Sequence, residues 1–179
     1  MKNIKRKIAD LYLYSIARNN RQNRDITSFH DIRTIGILYF ADTDEDIKII
    51  KKASTKLKAL GKDVYLLGFS DKKTLPHGVL PHTKDDYYCR KDLRWYGLPQ
   101  IDRVNRFANE EFDFLLNVFK PEILPLLGVS AISKAKCRLG FYNKKYTCCF
   151  DFIIKEKNIN KTSDMIDTFI LYLYKFKND

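Results

Sequence analysis

Three kinds of side chain in this sequence could do chemistry: a run of carboxylates, scattered cysteines and histidines, and cations interleaved with aromatic rings. Asp42-Thr43-Asp44-Glu45-Asp46 places four carboxylates directly after an apolar run. Such a group can hold Mg²⁺ through hard oxygen ligands. It can equally cap a helix, because acidic side chains complement the positive helix N-terminus, and capping alone accounts for it. The junction has no glycine to let a phosphate approach the backbone, and its negative charge repels one, which argues against a dinucleotide or Walker-type site. A second strand-to-helix junction, Phe119-Lys120-Pro121, suits an anion better. Lys120 there is the candidate anion-binding residue, although an ordinary surface lysine is the simpler account.

Cys89, Cys137, Cys148 and Cys149 have no metal-ligand spacing, and the vicinal pair reads as opposite faces of a strand. His30, His77 and His82 are few and far apart. No Gly-x-Ser-x-Gly elbow and no His-Glu-x-x-His pair occurs. The expectation is no metal, no cofactor and no catalytic constellation. No signal-peptide pattern and no apolar stretch of about 18 residues is present. The cysteines therefore read as reduced residues of a cytoplasmic protein with no transmembrane segment.

The cations remain. The chain of 179 residues carries a net charge of +11. Residues 1–24 hold Lys2, Lys5, Arg6, Lys7, Arg18, Arg21 and Arg24 against Asp10 alone, so more than half of the excess sits in this arm. Arg90, Lys91, Arg94 and Trp95 form a second cluster, and Lys134, Lys136, Arg138, Lys144 and Lys145 a third. Cations neutralise phosphates and aromatic rings stack on bases, so these sets together suggest nucleic acid, although each alone reads as solvated charge.

The elements that would position these groups follow from periodicity. Ile4, Ile8, Leu11, Tyr12 and Ser15 make one stripe of a helix over Lys2 to Asn19, after which polar residues end the pattern. Thr34–Phe40 reads as a buried strand. A helix follows, with Ile47, Ile50, Ala53 or Ser54, Leu57 and Leu60 inward and Gly61 as its C′ residue, and then a strand over 63–69. This is a βαβ unit, hence a parallel sheet. Residues 70–86 read as a loop, Tyr87 to Tyr96 as an edge strand and 100–107 as a short helix. Phe112 to Phe119 is a strong strand. Pro121 opens a helix that Pro125 and Gly128 interrupt before Lys134. Further strands are expected over 137–142 and 149–154. A closing helix capped at Thr162-Ser163-Asp164 turns Met165, Ile166, Phe169, Ile170, Leu173 and Tyr174 inward.

Phe112-Asp113-Phe114-Leu115-Leu116-Asn117 and Ser133-Lys134-Ala135-Lys136-Cys137-Arg138-Leu139-Gly140-Phe141 resemble the signature of an uncharacterised family of small basic bacterial proteins, a domain of unknown function. The resemblance includes the basic helix and the Ile35-Gly36-Ile37-Leu38 strand. The same two segments are similar to the N-terminal half of heptosyltransferase-type glycosyltransferases, which implies a Rossmann-like half-domain. It does not imply transferase activity, because 179 residues cannot hold the donor-sugar half as well.

The expected protein is a three-layer, Rossmann-like α/β domain over 25–179, with a mainly parallel sheet of about five strands and a basic helical arm over 1–24. Its expected role is a non-enzymatic module contacting RNA, with the ribosome as the expected setting. One alternative is an enzyme or enzyme relic binding a phosphorylated or sugar-nucleotide ligand near Lys120. Another is a scaffold whose arm meets an acidic protein or an anionic membrane surface.

Overall fold

In the computed structural model of the protein, which describes residues 2–20, 31–74, 84–156 and 159–175, the apolar run Thr34–Phe40 forms β1. It leads into α2 (Asp44–Ala59) through a capping box: Asp46 N donates to Thr43 Oγ1, and Thr43 N donates to the Asp46 carboxylate. Gly61, with φ of 76°, closes the helix in the left-handed conformation that favours glycine. β2 (Asp63–Ser70) then pairs parallel to β1 with Ile35 opposite Val64. Thr43→Ala is expected to lower stability by about 1 kcal/mol, read as a shifted urea midpoint. An unchanged midpoint would remove the cap as the reason for this acidic cluster.

The remaining elements are β3 (Asp85–Cys89), α3 (Asp102–Asn109), β4 (Phe114–Val118), α4 (Leu124–Ile132), β5 (Cys137–Phe141), β6 (Phe152–Ile154) and α5 (Thr162–Lys175), with α1 (Lys2–Asn19) preceding them all. Among the described residues the sheet has six strands, one more than expected, in the order β3-β2-β1-β4-β5-β6. Every neighbouring pair is parallel. Both faces are covered, which is why β4 and β5 are buried along their whole length, polar Asn117 and Arg138 included. One core lies between the sheet and α1, α3 and α4, the other between the sheet and α2 and α5. This is a three-layer, Rossmann-like α/β arrangement.

Several local expectations need correction, Leu60 among them, which is exposed at the end of α2. The edge strand stops at Cys89 instead of continuing to Tyr96. A 3-10 helix (Arg90–Asp92) ends it, and Asp92 takes the Cys89 backbone N–H. The short helix starts at Asp102, two residues late. Pro121 does not open α4. The helix begins at Leu124, with Pro125 in its first turn where no N–H is needed, so Pro125 starts the helix it was expected to break. Cys148 and Cys149 lie in a 3-10 helix (Thr147–Cys149), and β6 begins only at Phe152, so the two thiols are not on opposite faces of a strand. In α5, Met165, Ile166, Phe169 and Leu173 are buried as expected, whereas Tyr174 is exposed.

The largest difference lies in α1. Ala9, Leu13 and Ala17 are its buried apolar residues, joined by Asp10, whereas Ile4, Ile8, Leu11 and Tyr12 face outward. The expected stripe is on the far side of the helix. The two alanines let α1 lie close against α4 and the Thr147–Cys149 turn, and hydrogen bonds to groups 111 to 140 residues away fix it there. Asn20 Nδ2 donates to the Ala131 and Ser133 carbonyls at the end of α4, both at 2.8 Å. Arg6 donates to the Glu122 carbonyl at 3.2 Å and to the Tyr146 hydroxyl.

Candidate functional site

The rim formed by the C-terminal ends of the strands is where doubly wound folds hold ligands. At the end of β1, Asp46 is committed to the helix cap and also accepts from Thr162 Oγ1 of α5. Among the described residues no group of three or more His, Cys, Asp and Glu side chains could hold a metal ion. At the end of β4, Lys120 is exposed in the turn before α4, four residues short of the helix, and Phe119 behind it is buried. A cleft of about 250 Å³ lies at the opposite, N-terminal edge, lined by Tyr65, Lys84, Asp86, Arg103, Arg106 and Glu110. Its buried carboxylate is already matched, with Asp86 3.6 Å from Arg103. His30, His77 and His82 lie outside the described residues.

The expected basic contacts divide into those the fold uses and those it leaves outward. Arg138 is used most completely. It is 3% exposed, its guanidinium grips Asp151 at 2.8 and 2.9 Å, and Nη1 donates to the Ser130 carbonyl. Lys136 pairs with Asp113 at 2.7 Å, and Arg90 makes two bonds to Asp71 at 2.9 and 2.8 Å. Arg6 is anchored as described above and lies 3.5 Å from Asp10. Lys145 bonds the other oxygen of Asp10, and that bond is the first cause raising its pKa. Arg94 stays at the surface, donating to the Tyr96 hydroxyl at 3.2 Å.

Lys5, Lys7, Arg18, Lys91, Lys134 and Lys144 are exposed and take part in none of these pairs. Lys2 begins α1, while Arg21 and Arg24 lie outside the described residues. The structure brings the segment of the second cluster, and Lys145 of the third, against α1. Tyr12 of α1 meets Tyr96 with ring centroids 5.7 Å apart, and Tyr96 meets Trp95 edge-on at 5.4 Å. Trp95 is 64% exposed at the end of this chain of rings.

The roles of two residues at this face were not legible in the sequence. Asp10 is the single acid of α1. It is buried, accepting from the Tyr146 hydroxyl at 3.0 Å as well as from Lys145. Its inward turn leaves the outer face of the helix without a negative charge. Tyr146 lies 136 residues away and carries no local signal of this role. Beside it, a hydrogen bond from the buried Cys149 thiol, set against partial burial, holds the Cys148 thiol down at about 7.

No described helix is long and apolar enough to cross a membrane. Comparison with curated proteins and with solved structures finds no match. A family model does match, across residues 5–176, from the first turn of α1 to the end of α5. The chain therefore belongs to DUF6913, a family of unknown function.

Proposed function

We propose that the chain is a non-enzymatic binding module that docks a polyanionic partner on its α1 face, RNA being the partner its sequence leads one to expect. The observation that carries this reading is the sorting of charge on α1. Lys5, Lys7 and Arg18 face solvent, while Asp10 is turned inward and held by Lys145 and Tyr146. Cations placed this way neutralise phosphates without local competition from a carboxylate. Trp95 and Arg94 extend the face, and an exposed ring beside cations is a stacking surface for an unpaired base. Lys144, next to Lys145 at the α1 seam, lengthens the same field.

The test is a salt titration of binding to a structured RNA, comparing the wild type with the Lys5→Ala/Lys7→Ala/Arg18→Ala variant. Affinity should fall for every RNA sequence tried, and the slope of log K against log salt should flatten by about one per lost phosphate contact. These side chains are exposed, so the thermal midpoint should not move. An unchanged slope removes α1 from the site.

A further inference from the structure

The cations of α1 do not stand alone, because a crest of aliphatic side chains projects between them. At 100° per residue, positions 4, 8, 11 and 15 share the outermost line of the helix. Lys5 and Tyr12 border it on one side, and Lys7, Tyr14 and Arg18 on the other. Ile4 is 63% exposed and Leu11 71%. Tyr12, Tyr96 and Trp95 continue the apolar strip off the helix.

We infer that the polyanion docked by this face is the surface of an anionic lipid bilayer, with the Ile4–Ile8–Leu11 crest and Trp95 entering the headgroup layer. This rests on the reading of the α1 face as a polyanion-docking surface and names the partner. A bilayer surface is the partner whose chemistry matches every class of residue present. Aliphatic tips reach the acyl boundary, while Lys and Arg bend outward to lipid phosphates. Tyrosine and tryptophan favour the interface between the two.

RNA would use the cations and the rings but would leave Ile4 and Leu11 without an apolar partner. A second copy of the chain meeting this face to face would set Lys5, Lys7 and Arg18 against their own equivalents, because a two-fold interface joins the same patch to itself. The opposite face of α1 is already fixed to α4 and Tyr146. The crest is therefore a preformed ridge, and no helix has to fold at the membrane.

The experiment uses the full chain with three probes: phosphatidylcholine vesicles, vesicles of phosphatidylcholine with phosphatidylserine, and a structured RNA. Trp95 is the single tryptophan and reports insertion directly. The protein should co-sediment with the anionic vesicles only, and the Trp95 emission should shift to the blue. Ile4→Ser/Leu11→Ser should weaken that binding by at least about tenfold while leaving the thermal midpoint unchanged. Vesicle binding that ignores this variant, or an emission maximum that does not move, overturns insertion. RNA binding without vesicle binding overturns the bilayer and keeps the polyanion reading with RNA as partner. Binding to neither ends both readings. Concentration-dependent dimerisation abolished by the same variant assigns the crest to a second copy instead.

Discussion

Asp151→Ala is expected to destabilise the fold by about 3–5 kcal/mol, because it leaves a guanidinium buried without its counter-charge. Arg138 lies within β5, and its two bonds to Asp151 are completed by Ser130 at the end of α4. The Arg138 backbone N–H also donates to Asp151, at 2.9 Å, so one carboxylate holds both strand and side chain. Urea denaturation should show a lower midpoint with little change in slope. The Arg138→Met/Asp151→Leu double variant should recover much of the loss, since an apolar pair of similar volume needs no desolvated charge. A loss below about 1 kcal/mol for Asp151→Ala would show that water reaches the guanidinium. Neither variant should alter binding at the α1 face.

Asp113→Ala is expected to cost on the order of 3 kcal/mol, because it removes an acceptor that several donors share. The carboxylate receives the Arg33 and Thr34 backbone N–H groups at 2.8 and 3.0 Å, the Thr34 hydroxyl and the Lys136 ammonium. It thereby ties the start of β4 to the start of β1. Burial works to raise its pKa, but the bond from Lys136 and the backbone donors outweigh burial and hold it below 3.8. A depressed carboxyl stabilises the fold fully above its unfolded value, and that contribution fades as pH falls below about 4 through the folded value. The wild type should therefore lose stability across that acidic window, and Asp113→Asn should flatten the loss. Identical acid profiles would mean that Asp113 titrates as it does in the unfolded chain.

The first βαβ unit of the fold was legible because its signals are local. Thr34–Phe40, the acidic capping turn and Gly61 lie within one short stretch, and each constrains the backbone directly. The start of α4 was misplaced because either of two prolines four residues apart can begin a helix, and only Pro125 does. On α1 the existence of the helix was readable and its inner face was not. Large apolar side chains mark a stripe, yet packing here selected two alanines, a leucine and an acid. Nothing near Asp10 in sequence announces Lys145 or Tyr146 as partners. The cation clusters were visible as composition, but the division between structural and outward cations depends on carboxylates far along the chain. Asp113 and Asp151 took Lys136 and Arg138, while Lys134 and Lys144 stayed outward.

The clasp that fixes α1 also has a consequence in time. Arg6 closes onto groups 116 and 140 residues later in the chain, so on the ribosome the helix appears long before its dock exists. At ordinary elongation rates that wait is roughly 6–28 s. Throughout it the helix shows apolar residues on both sides, Leu13 on the face that will be covered and Leu11 on the face that will not. The nascent segment is therefore suited to capture by a holding chaperone, and release should follow the emergence of Tyr146 from the ribosome rather than the completion of α1.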